Sequence, residues 1–180
     1  MQFYQEFELE TKSNQDIDSD STFKIPSNEE MQELIGKDLE RNDKITKVTL
    51  HIKMHGLPNE LSRAYLVLKV STKNYGFDER SLAHCELNTL NNNCSAVQLT
   101  NFGTHYWRKG VGTMFMKMVL DWLNRARYTL VIGNTAADQN NYLPFFYKMG
   151  FVESNINYIN RRNDHQNIWI HKLLSPPKDI

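Results

Sequence analysis

Cysteine is nearly absent from this chain: two residues in 180, Cys85 and Cys94. They lack metal-ligand spacing and are too few for the disulfide framework of a small exported scaffold. An excess of either charge is also missing, because 21 Lys+Arg balance 21 Asp+Glu. A dedicated nucleic-acid binder needs a clustered basic face, so no nucleic-acid partner is expected. Long apolar runs are missing too. Nothing approaches the roughly 18 residues that a membrane helix requires, and no membrane partner is expected. The opening residues, Met1 to Glu10, are acidic and alternating, unlike a secretory signal. These absences point to a cytoplasmic protein with reduced thiols.

What remains is globular. Hydrophobic residues make up 40% and aromatics 11%, enough for a real core. The length suits one domain, and no linker or internal repeat divides residues 1–180. Phe3, Phe7 and Leu9 share one parity, which predicts a half-buried strand. Ser27 and Glu30 have capping-box spacing, and Met31, Leu34, Ile35 and Leu39 extend a helical stripe to about residue 42. Residues 48–54 and 64–70 alternate and predict an antiparallel pair. Residues 73–94 fit either a strand through Ala83, Cys85 and Leu87 or a short helix through Leu82, Cys85 and Glu86.

The second half reads more sharply. Ala96–Phe102 is a candidate strand, and Val111, Met114, Phe115, Met118 and Trp122 mark one face of a helix. Tyr128–Ile132 is a short apolar run suited to a buried strand. Strand, helix and strand make a βαβ unit, so the two strands should be parallel. Pro144–Met149 predicts a short helix stopped by Gly150. Two last strands, about 151–159 and 168–174, flank a polar loop at 160–167.

Between the strand and the long helix stands Trp107-Arg108-Lys109-Gly110-Val111-Gly112-Thr113. The first N–H groups of a helix have no intrahelical acceptor, and its dipole places partial positive charge there. Two glycines let the backbone approach a bulky anion, so the junction suits a pyrophosphate. A Gly-x-Gly before a helix is also often a plain tight turn.

This stretch resembles the cofactor motif of the GNAT superfamily of acyl-CoA N-acyltransferases, (Gln/Arg)-x-x-Gly-x-(Gly/Ala). Gly110 and Gly112 match the small positions, while Trp107 stands at the Gln/Arg position. Downstream, Gly133-Asn134 closes the buried strand. Pro144-Phe145-Phe146-Tyr147-Lys148-Met149-Gly150-Phe151 resembles the family's Pro-Phe-Tyr-x-Lys-x-Gly-Phe. The likeness is good over about residues 95–175 and looser over 1–94.

The resemblance implies an α+β fold, an α/β mixed sheet in a single domain. The sheet would be mostly antiparallel, with a central splayed parallel strand pair and helices on both faces. It also implies acetyl-CoA as co-substrate, an amine acceptor (a small molecule or a peptide or protein amine) and no metal. The pantetheine arm would follow Thr100, Asn101 and Phe102, and the pyrophosphate would sit on Arg108, Lys109, Gly110, Val111, Gly112 and Thr113, with Asn134 nearby. A homodimer is compatible with the sequence.

The family's general-acid tyrosine position falls on Phe146, and Tyr147 lies one residue later, about 100° around the helix. Three readings stand: Tyr147 turns into the site as the catalytic acid, the reaction runs without a tyrosine, or the site is inactive. Glu86, His84 and His105 are the chemically suitable bases, and the histidines equally suit surface or structural roles. Arg161-Arg162 reads as a solvated hairpin tip. Trp107 could stack on a cofactor or partner, or pack over the helix start.

Overall fold

A computed structural model describes residues 4–10, 23–39, 43–55, 62–74, 80–90, 95–136, 142–154 and 167–174. Its centre is an eight-stranded sheet in the order β1-β2-β3-β4-β5-β6-β8-β7. Strand β1 is Tyr4–Glu10, and a helix α1, Asn28–Ile35, follows with a 3-10 turn, Gly36–Asp38. Then come β2 Ile45–His55, β3 Arg63–Thr72, β4 Arg80–Thr89 and β5 Ala96–Thr104. Helix α2, Val111–Arg125, leads to β6 Leu130–Ala136, and α3, Leu143–Lys148, leads to β7 Val152–Glu153 and β8 Asn167–Leu173.

The start of α1 is fixed by the capping box that its sequence spells. The Glu30 amide donates to Ser27 Oγ at 3.1 Å, and the Ser27 amide donates to the Glu30 carboxylate at 2.7 Å. The regular helix ends at Ile35, short of the expected residue 42. Gln32 helps to pin the helix to the sheet: its side chain donates to the Asp43 carbonyl at 3.1 Å and accepts from the Ile45 amide at 2.7 Å.

Residues 80–89 form a strand, and its register explains why their pattern was equivocal. Leu68 pairs with Ala83, but Lys69 pairs with Ser81, so Leu82 is an extra residue on β4. Leu82 and Ala83 are both buried, breaking the two-residue period that marks a strand. Of the predicted last strands, the first is represented among the described residues by β7, Val152–Glu153, and β8 matches the second. Residues 155–166, with Arg161 and Arg162, lie outside the described residues.

Val48, Leu50, Ile52 and Met54 of β2 join Ala64, Leu66, Leu68 and Val70 of β3 in one core. Met31 and Ile35 of α1, Phe115, Met118 and Trp122 of α2, and Phe146 of α3 belong to the same cluster. Phe23 stacks on Trp122 with ring centroids 4.7 Å apart, tying the segment before α1 to α2. Among the described residues no helix is long and apolar enough to cross a membrane.

Strands β5 and β6 are parallel, as the βαβ pattern requires, and their pairing is short. The register runs from Ala96 opposite Leu130 to Leu99 opposite Gly133. Beyond it, β5 continues along β4 to Thr104, and β6 continues along β8 to Ala136. The two strands therefore part in the middle of the sheet.

Leu50→Ala removes a fully buried side chain and should cost about 2–5 kcal/mol in urea unfolding. Leu173→Ala, at a side chain 72% exposed, should stay within about 0.5 kcal/mol. Equal effects would contradict the burial pattern.

Candidate active site

The parting of β5 and β6 is accompanied by a bulge. His84 pairs with Gly103 and Glu86 with Thr100, so Asn101 and Phe102 together face Cys85. Asn101 takes the left-handed conformation, φ 49°, which asparagine tolerates better than most residues. The extra residue sets the parity of the strand end. Phe102 turns toward Phe115, Phe145 and Phe146, with centroids 6.1, 5.3 and 6.2 Å away. Gly103 lies under the His84 ring, where a Cβ would come within 2.7 Å of a ring carbon.

After β5 the chain turns into α2 through two further left-handed residues, Arg108 at φ 59° and Gly110 at φ 86°. Gly110 is the N-cap and gives no side-chain cap, and the first turn of α2 carries no acidic residue. The Met114 amide closes the first helical bond on the Gly110 carbonyl, at 2.9 Å. The amides of Val111, Gly112 and Thr113 thus begin the helix without intrahelical acceptors, at the positive end of its dipole. A Cβ on Gly112 would meet Thr104, Phe145 and Phe102 at 3.4–3.9 Å, so the glycine leaves a small cradle between strand and helices.

A cavity of about 420 Å³ opens over this junction. Phe102, Arg108, Gly110, Gly112 and Thr113 of the expected set line it. The other expected residues are not among those that line it. Thr100 faces β4, its hydroxyl donating to the Glu86 carbonyl at 3.4 Å, and Asn101 donates to the Glu86 carboxylate at 2.8 Å. Lys109 is bridged at 2.9 Å to Asp38 after α1. Val111 buries its side chain in the core, and Asn134 is exposed on β6 opposite Trp169.

The sequence reading missed Thr104, Tyr106, Tyr142, Pro144 and Phe145 as cavity residues. Trp107, read as either stacking or packing, also lines the cavity and meets Tyr142 edge-on, with centroids 5.5 Å apart. Tyr142 and Phe145 are three residues apart on the α3 turn, a spacing that puts them on one face. That signal was available once Pro144 had marked the helix start.

Phe146 is buried and packs edge-on against Phe151 at 5.3 Å. Tyr147 is 43% exposed and does not line the cavity; its hydroxyl donates to the Glu153 carboxylate. That hydrogen bond, then burial and the Glu153 charge, push the phenol above its ordinary pKa.

Of the candidate bases, His84 and His105 lie 6.3 Å apart, and neither lines the cavity. Burial and then the neighbouring His105 hold His84 below the usual imidazole value. Glu86 is engaged by Asn101, Asn88 and Arg63. Burial raises its pKa, but these hydrogen bonds and the Arg63 charge outweigh that effect and leave it below the ordinary carboxylate value. The stability of its pairing is therefore present above the unfolded carboxyl pKa and fades as pH falls through the lower folded value.

The sequence model of the acetyltransferase (GNAT) family matches residues 29–151, more than half of the chain. The protein belongs to the acetyltransferase (GNAT) family. Membership supports acetyl transfer as its class of reaction. The fold is similar to that of spermidine N-acetyltransferase from Vibrio cholerae, solved with CoA and spermine. That likeness has a TM-score of 0.50 and 14% identity, over 83% of this chain and 76% of that one. It is also similar to an IAA acetyltransferase from Bacillus cereus, with TM-score 0.51 and 12% identity, over 63% and 79%. At such identities the likeness is one of fold, not of substrate. No curated protein matches the chain.

Two glycine substitutions should separate backbone from cradle. Gly110→Ala forces a Cβ into the left-handed region and should cost roughly 1 kcal/mol or more in urea unfolding. Gly112→Ala places a methyl at ordinary contact distance from Thr104, Phe145 and Phe102 on a helix, and should leave stability within about 0.5 kcal/mol or raise it.

Proposed function

We propose that the protein is an N-acetyltransferase that moves acetyl from acetyl-CoA to a primary amine by direct attack. The observation that carries this reading is the cavity at the uncapped start of α2, next to the place where β5 leaves β6. A pyrophosphate there would accept hydrogen bonds from the amides of Val111, Gly112 and Thr113, with Arg108 supplying a neutralising charge. The aromatic lining, Phe102, Tyr106, Trp107, Tyr142 and Phe145, suits the apolar and ring portions of the same molecule. Past Leu99, the β5 backbone no longer pairs with β6 and could align an amide-bearing arm.

The thioester supplies the acyl group: the amine lone pair attacks its carbonyl carbon, the C–S bond breaks, and a proton passes from nitrogen to sulfur directly or through water. The chain contributes position and exclusion of water. Tyr147 is turned to Glu153, and its raised pKa makes it a weaker acid, which supports the reading without a tyrosine donor. Tyr147→Phe should lower turnover less than about tenfold, against the 10²–10⁴ expected of a positioned acid.

A second reading, a CoA-binding domain that performs no transfer, is favoured by the buried Phe146 at the tyrosine position. Calorimetric titration with acetyl-CoA, followed by thiol release across spermidine, aminoglycosides and peptide N-termini, decides between them. Binding with thiol release supports the enzyme. Binding without release supports the second reading, and no binding at millimolar acetyl-CoA overturns both. Arg108→Ala should weaken binding about 5–30-fold through loss of one charged contact, and Lys109→Ala less, since Asp38 already holds Lys109.

A further inference from the structure

Glu86 is the one carboxylate among the candidate bases, yet both of its oxygens are occupied. Arg63 Nε of β3 approaches Oε1 at 2.8 Å, and Asn88 Nδ2 of β4 donates to the same oxygen at 3.3 Å. Asn101 Nδ2 of β5 donates to Oε2 at 2.8 Å. Three strands thus send a donor to one side chain that is only 12% exposed. Hydrogen bonds to a charged acceptor are the stronger kind, and fully satisfied networks of this sort rigidify their surroundings.

The β5 donor is the bulged residue itself. Asn101 holds φ 49°, and the two-against-one register begins there. Without the extra residue, continued pairing from Thr100 opposite Glu86 would bring Phe102, not Gly103, opposite His84. A one-residue slip moves every following side chain to the other face. Phe102 and Thr104 would leave the cavity, and a phenyl would fall beside the His84 ring, which would have to move even for a Cβ at Gly103.

We propose that Glu86 is a positioning residue: by gripping Asn101 it holds the β5 bulge, and so keeps Phe102 and Thr104 on the cavity side. Its consequence for catalysis rests on the acetyl-CoA reading above; its consequence for the strand does not. In this role Glu86 serves the strand and not proton transfer, because donors on both carboxylate oxygens hold its charged form in place.

Amide hydrogen exchange of residues 100–104, measured with acetyl-CoA affinity, tests this in Glu86→Gln, Glu86→Ala, Asn101→Gly and the Gln/Gly double variant. The 100–104 amides should exchange roughly tenfold faster in Glu86→Ala than in the parent, with β2–β3 amides little changed. Glu86→Gln keeps the volume and should move the same amides by about threefold, which preserves the test should the alanine variant fail to fold. The double variant should be no worse than the worse single, because both cut one contact. Acetyl-CoA affinity should fall in step with the exchange, by roughly tenfold for Glu86→Ala. Unchanged exchange at 100–104, additive effects or intact affinity in variants with loosened strands would overturn the proposal. A parent protein that binds no acetyl-CoA would instead remove the functional reading, and exchange would still judge the clamp.

Discussion

The constraint on which the rest depends is the short partnership of β5 and β6. Two parallel strands that pair for four residues and then follow different neighbours leave backbone groups facing a gap inside the sheet. A gap of that kind offers its N–H and C=O groups to water or to a ligand, because backbone polar groups take a partner wherever no strand supplies one. The bulge at Asn101 follows on the opposite edge of β5: it shifts the register on β4 by one residue and turns Phe102 toward the helices. The same strand end then runs into the loop and the uncapped helix that frame the cavity. The end of the pairing thus opens the gap, and the bulge beside it sets the wall.

The chemistry around the gap divides by charge and by ring. At the helix start, three amides, a dipole end and the Arg108 side chain favour an anion, in a first turn free of acidic residues. Next to it, aromatic side chains from β5, the loop and α3 offer an apolar surface. Balanced overall charge is compatible with this, because the attraction comes from a few oriented groups. Lys109, drawn off to Asp38, has a different role: it ties the loop to the segment after α1.

Much of this was legible in the residues. The capping box at Ser27, the apolar stripe of α2, the βαβ order and the Gly110/Gly112 junction each rest on local chemistry, and each stands where its pattern placed it. What the pattern hid were departures from period. Leu82 is an extra core residue on β4, so its strand resembled a helix turn. Asn101 is an extra residue on β5, and no spacing rule announces a bulge. The aromatic wall was hidden for another reason: Phe102 and Tyr106 are far in the chain from Tyr142 and Phe145, and only the fold brings the two groups to one cavity. Helix geometry set Tyr147 about 100° from Phe146 but left open whether it turns into the site; here it reaches Glu153.

The most direct measurement is a crystal structure of the protein grown with CoA. The pyrophosphate is expected within hydrogen-bond reach of the amides of Val111 to Thr113, with the pantetheine arm running along β5 beyond Leu99. A CoA molecule bound elsewhere, or a β5 that pairs with β6 past Leu99 in its presence, would contradict that expectation.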